Sequence, residues 1–166
     1  MNYHNILHED MLNGPGLRVV LFVSGCSHNC KGCHNPQTHD FNSGIPFTEA
    51  EVEEIEEALS KPYIQGLTVS GGDPLYGRNI TAVVDLCNYL KEKYPSKDIW
   101  VYTGFKWEEL EDIQDSLQSI DVIADGEFVQ ELADVNIPYV GSSNQRLIDV
   151  KESIANKKIV LYKVKQ

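Results

Sequence analysis

Short apolar runs at residues 17–23, 66–70, 99–102 and 120–124 alternate with stretches of helical spacing, and this order constrains the fold more than any other feature of the chain. Residues 17–23 (LRVVLFV) have the β-branched, continuously apolar character of a buried strand. Thr48 opens a helix, Glu51 completes its capping box, and Val52, Ile55 and Leu59 supply its apolar stripe. Ile80, Val83, Val84, Cys87 and Leu90 mark one face of a second helix, and Trp107, Leu110, Ile113 and Leu117 a third. Strand–helix–strand order of this kind sets parallel strands side by side with helices packed outside them. About four such steps are too few for a closed eight-stranded barrel. The expected fold is therefore α/β: an open or partial barrel, with a largely parallel sheet and outer helices. Beyond Phe128 the pattern weakens, and residues 137–140 and 158–164 read as short strands. No linker or repeat divides the 166 residues, so a single domain over 1–166 is expected. A chain of this size buries roughly 70% of its unfolded surface and needs no disulfides.

In parallel α/β sheets ligands bind at the carboxyl ends of strands. The irregular loops of this chain fall there: residues 24–46, Gly71-Gly72-Asp73-Pro74, Thr103-Gly104 and Asp125-Gly126. Loop 24–46 holds Cys26, Cys30 and Cys33, while Cys87 sits on the apolar stripe of its helix, where a core role is expected. No run of about 18 apolar residues is present. The amino-terminal stretch has neither the basic nor the apolar part of a secretory signal. The expected location is cytoplasmic, with no membrane association and with reduced thiols that read as metal ligands or redox groups. Fourteen basic against 25 acidic residues give a net charge of −11, which argues against nucleic acid and suits a protein partner.

The C-x3-C-x2-C spacing brings three thiolates within reach of one centre. Zinc wants four ligands, and His28, His34 or His39 would have to complete its set. An iron–sulfur cubane normally takes four cysteines, so three leave one iron open to a small molecule. Unligated thiols are the third reading. Two glycines at a strand end, Gly71 and Gly72, let backbone approach a ligand closely. Asp73 reads either as a ligand contact or as a cap of its own turn. Thr103, Gly104 and Asp125 read as ligand contacts or as ordinary strand-end and capping residues. His28 is expected to shape its loop or to donate to sulfur, and His4, His8 and His39 to lie on surface or loop. Asn144 and Gln145 form a polar pair whose role stays open between partner docking, ligand contact and self-capping.

C-x3-C-x2-C after the first strand and Gly-Gly-Asp-Pro after the second resemble the radical S-adenosylmethionine superfamily. The blocks NGPGLRVVLFVSGCSHNCKGCHNPQT, SGGDPL, DIWVYTGF, DGEF and GSSNQR are more closely similar to the anaerobic ribonucleoside-triphosphate reductase-activating proteins. Two positions depart from related patterns: Gly32 stands where the superfamily often has an aromatic residue, and Glu127 where related glycyl-radical activases often have lysine. The resemblance implies a partial (β/α) barrel of the radical S-adenosylmethionine type. It implies one 4Fe–4S cluster on Cys26, Cys30 and Cys33, whose open iron chelates S-adenosyl-L-methionine. The implied contacts to that molecule are Gly32, Cys33, His34, Gly71, Gly72, Asp73, Thr103, Gly104 and Asp125, with no catalytic side chain beyond the cluster and its ligand. The implied reaction is reductive cleavage to a 5′-deoxyadenosyl radical, which removes an α-hydrogen from a glycine of the reductase's large subunit. A one-electron donor such as reduced flavodoxin is implied as a second partner. A small-metabolite enzyme of the same superfamily and a non-catalytic zinc or iron–sulfur module are the rival readings.

Overall fold

The computed structural model describes residues 1–164. Seven strands of the described residues form one sheet: β1 (Asn2–Asp10), β2 (Leu17–Val23), β3 (Ile45–Pro46), β4 (Ile64–Gly71), β5 (Asp98–Tyr102), β6 (Val122–Asp125) and β7 (Arg146–Asp149). Their order is β3-β1-β2-β4-β5-β6-β7, and the sheet does not close. The centre, β2-β4-β5-β6, is parallel throughout and consists of the four strands expected from the sequence. Antiparallel pairs finish both sides, β1 with β2 and β3, and β7 with β6.

Among the described residues three α-helices accompany the sheet: α1 (Glu49–Leu59), α2 (Ile80–Lys93) and α3 (Val150–Asn156). Thr48 caps α1 with the capping box expected of it, its side chain bonded by the Ala50 N–H and its own N–H donating to Glu51. Residues Trp107–Leu117 form a 3-10 helix rather than an α-helix. Trp107, Leu110 and Ile113 recur every third residue, a spacing that suits three residues per turn as well as 3.6.

Alternation along each strand divides the sheet into two faces. One face carries Leu21, Val69, Val101 and Ile123, aligned in register and fully buried with Ile55, Leu59, Val83, Cys87, Leu90 and Leu117 from the helices. The other carries Val20, Thr68, Trp100 and Val122 in register. Here the filling is irregular. The fully buried Arg18 donates to Thr68 Oγ1 at 2.8 Å and to the carbonyls of Leu67 and Pro15, both at 3.0 Å. It pairs with Asp98 and lies over the Trp100 ring. The Trp100 indole meets the edges of Tyr139 and Tyr162.

Residues 137–140 are not a strand; they belong to a loop closed by the Ala133–Ser142 bridge. Residues 158–164 hold only a single bridge, Leu161 to Ile148, and otherwise cover the sheet as irregular chain. Their alternation reflects packing beside Trp100 and β7 rather than a strand ladder. Loop 24–46 is also more structured than expected, with a 3-10 turn at Pro36–Thr38 and β3 as its last residues.

Candidate active site

The ends of β2, β4, β5 and β6 point to the same edge, and a cavity of about 420 Å³ opens there. Cys26, Cys30 and Cys33 line it, together with His34, Gly71, Gly72, Asp73, Thr103 and Gly104. Nine of the expected site residues thus meet in one space, although they come from three separate loops.

The loops are tied by short backbone bonds. Gly25 N–H donates to Thr38 O at 2.7 Å and Cys26 N–H to His39 O at 3.1 Å. The glycine turn clasps the end of β2 and the start of the cysteine loop, with Gly72 N–H on Val23 O at 2.9 Å and Asp73 N–H on Gly25 O at 2.7 Å. A side chain on Gly72 would have its Cβ at 2.6 Å from Gly25 O and 2.8 Å from Thr38 O. The need for glycine at 72 therefore comes from the cysteine loop itself.

Asp73 is fully buried beneath the cavity. Its carboxylate accepts from Leu75 N–H at 2.9 Å, Thr103 Oγ1 at 2.8 Å and Gly104 N–H at 2.9 Å. His28 Nε2 lies 2.9 Å from the same carboxylate, and His28 Nδ1 lies 2.7 Å from Glu127 Oε1. The Asp73 carboxylate foremost, against the opposing effect of burial, and Glu127 after it, raise the imidazole pKa to about 9. His28 thus sits between two carboxylates, with its ring edge-on to Phe105 at 4.6 Å. Gly104 permits this, since a Cβ there would come within 2.5 Å of the imidazole.

Asp125 stands apart. It is fully buried, accepts Trp107 N–H at 2.8 Å and pairs with Arg146, and it faces a neighbouring cleft with Glu108 and Arg146. Gly32 is exposed and turned towards Gln130. Gln145 clamps two loops, accepting Gly141 and Ser142 N–H at 2.9 and 3.0 Å and donating to Gly126 O at 3.0 Å. Asn144 donates to Glu127 O at 2.8 Å. The polar pair thus holds the loop after β6.

Sequence reasoning missed the aromatic wall: Tyr102 and Phe128 line the cavity, with His34 tilted against Phe128 at 5.0 Å. It also missed the mouth, where Leu12 and Val135 stand 81% and 99% exposed. The blocks DIWVYTGF and DGEF contain these aromatics, but nothing local to them marks the direction in which they face.

The donor set suits a multi-iron cluster. Burial pushes the Cys26 thiol up to about 12 and raises Cys30 as well, so loading a metal centre displaces protons from both. No three His, Cys, Asp or Glu side chains among the described residues converge to the distances of a single metal ion. The three thiols instead line the wall of a larger space. Cys87 is fully buried under α2, outside this space.

A cysteine-bearing loop clasped by a glycine turn at the carboxyl edge of a parallel sheet defines an iron–sulfur α/β domain. The family described as "4Fe-4S single cluster domain" matches residues 12–148. The anaerobic ribonucleoside-triphosphate reductase-activating protein of Enterobacteria phage T4 is 46% identical over 147 residues, covering 89% of this chain and 93% of that protein. Its counterparts from Escherichia coli (strain K12) and Vibrio cholerae are 46% and 45% identical, each over 87% of this chain and 96% of their own. The chain belongs to the family of anaerobic ribonucleoside-triphosphate reductase-activating proteins. No helix among the described residues is long and apolar enough to cross a membrane.

Proposed function

We propose that this chain is an iron–sulfur enzyme that activates an anaerobic ribonucleoside-triphosphate reductase by installing a glycyl radical on its large subunit. One observation carries the reading: three cysteines of one loop and the glycine turn line the same cavity at the carboxyl edge of the sheet. Cys26, Cys30 and Cys33 hold a 4Fe–4S cluster, and S-adenosyl-L-methionine binds beside it, in an open barrel of the radical S-adenosylmethionine type. When bound, cluster and S-adenosyl-L-methionine supply one-electron cleavage of a carbon–sulfur bond and the 5′-deoxyadenosyl radical that removes a glycine α-hydrogen.

The chain's own groups bind, orient and shield. Because Gly72 and Asp73 spend their N–H groups on Val23 O and Gly25 O, the two glycines are left to offer a ligand their carbonyl oxygens. Carbonyl acceptors suit an ammonium group such as that of the methionine moiety. Asp73, already bonded to Leu75, Thr103 and Gly104, acts as a positioning residue. Thr103, Gly104 and His34 flank the ligand, whereas Asp125 and Gly32 act through the loops they hold. Tyr102 and Phe128 give the cavity an apolar wall that shields it from water. Its mouth stays open between the exposed Leu12 and Val135. An open, apolar rim fits a macromolecular substrate better than a small metabolite to be enclosed. The electron comes from a one-electron donor such as reduced flavodoxin, in the cytoplasm.

Electron paramagnetic resonance of anaerobically reconstituted, reduced protein tests this. A 4Fe–4S signal that changes with S-adenosyl-L-methionine, followed by a glycyl radical when the reductase is added, is the expected result. A cluster indifferent to S-adenosyl-L-methionine would leave an electron carrier, and zinc without iron would remove the cluster altogether.

A further inference from the structure

His39 touches two of the three cysteines. Its carbonyl accepts the Cys26 N–H at 3.1 Å, and its imidazole Nε2 lies 3.3 Å from Cys33 Sγ. The ring is held for this contact by the Pro36–Thr38 turn, whose end it caps by donating its own N–H to Pro36 O at 3.3 Å. Asn35 N–H reaches the same sulfur at 3.4 Å. Among the described residues, no other side-chain donor reaches a cysteine sulfur of this loop. His28, the other histidine near the thiols, is taken up by Asp73 and Glu127.

We propose that His39 is a positioning residue of the cluster site, donating a hydrogen bond from Nε2 to the Cys33 sulfur and raising the reduction potential of a cluster bound there. The inference rests on the cluster assigned above to Cys26, Cys30 and Cys33. A ligating thiolate has no proton to give, so in the loaded protein the imidazole must be the donor. That requirement fixes the tautomer with the proton on Nε2. The added electron makes the cluster sulfurs more negative, so a donor aimed at one of them favours the reduced state. The effect falls on Cys33 alone, because Cys26 is held by the His39 carbonyl through its backbone and not through its sulfur.

The test compares full-length wild type, His39→Phe and His39→Gln after anaerobic reconstitution, without S-adenosyl-L-methionine. Iron content is measured first, then the cluster midpoint potential by redox titration followed by electron paramagnetic resonance. Phenylalanine keeps a ring and removes the donor, while glutamine restores an N–H near the Nε2 position. His39→Phe is expected to shift the reduced-to-oxidised ratio at a given potential about tenfold towards oxidised, about 59 mV for one electron. His39→Gln is expected to stay within about threefold of wild type, less than about 30 mV for one electron. If His39→Phe loses iron, His39→Leu is titrated in its place. An unchanged midpoint in a loaded donor-free variant overturns the proposal, as does an equal shift in the glutamine variant. Wild type that takes up no iron overturns the cluster reading itself, which is a different result from a loaded cluster with an unmoved potential.

Discussion

The two cysteine environments of this molecule are built by opposite means. Cys87 lies on the buried face of α2 with Val83, Leu86 and Leu90, packed into the apolar core. Cys26, Cys30 and Cys33 lie on a loop held by backbone bonds to Thr38, His39 and the glycine turn, with a buried carboxylate beneath. The helix layer is general and tolerant: any well-packed apolar set would serve. The carboxyl edge is specific, because its groups are held by directed hydrogen bonds between loops far apart in the chain. Stability is concentrated in one region and chemistry in the other, and substitutions should separate them.

The largest separation is expected within the cysteines. Cys30→Ala should abolish iron binding while leaving the thermal unfolding midpoint close to wild type; Cys87→Ala should keep full iron and lose about 1–2 kcal/mol of stability. Iron loss in Cys87→Ala with the fold intact would erase the distinction. Gly72→Val comes next. Its Cβ would press on Gly25 O and Thr38 O, so iron content and S-adenosyl-L-methionine affinity should fall together, with circular dichroism near normal. A variant that kept iron and lost only the ligand would show that the turn yields independently of the cysteine loop.

Arg18→Ala probes where the two regions join. Removing the fully buried Arg18 side chain, with the hydrogen bonds it gives to Thr68, Leu67 and Pro15, should cost about 3–5 kcal/mol in denaturant unfolding. It should also loosen residues 13–15, which Arg18 and Thr68 hold by their carbonyls, detected as faster exchange of the Asn13 amide that bonds Asp10 Oδ2 at 2.8 Å. The smallest effect is expected far from the edge. Thr48→Ala removes the capping box of α1 and should cost about 1 kcal/mol with iron binding unchanged.

The helix layer was legible because it obeys periodicity. The stripes of α1 and α2 and the four parallel strands follow from spacing alone, and the Thr48 cap follows from a local sequence pattern. Strand β1 was not legible, since its sequence, Asn-Tyr-His-Asn-Ile-Leu-His-Glu-Asp, carries few apolar residues and half-buried positions. It forms because β2 offers it a full antiparallel partner and β3 a short one. Strand β7 and helix α3 were hidden behind the polar GSSNQR block, whose Arg146 is drawn in by Asp125 and Glu108. At the site, the cysteines, the glycine turn and Thr103 were legible from type and position. The partners that engage them were not: His28 between two carboxylates and His39 on Cys33 depend on contacts across 45 residues or more for the former and on a turn geometry for the latter. Asp125 was legible as a strand-end acid, but its pairing with a residue of β7 required the strand that the pattern did not reveal.

The Asp73 carboxylate touches its own turn, the end of β5 and, through His28, the cysteine loop. Three segments far apart in the chain are thereby locked to one another's length. An insertion in any of them would drag on the other two, so these segments should vary in concert, whereas the exposed Val135 tip is at liberty to change size.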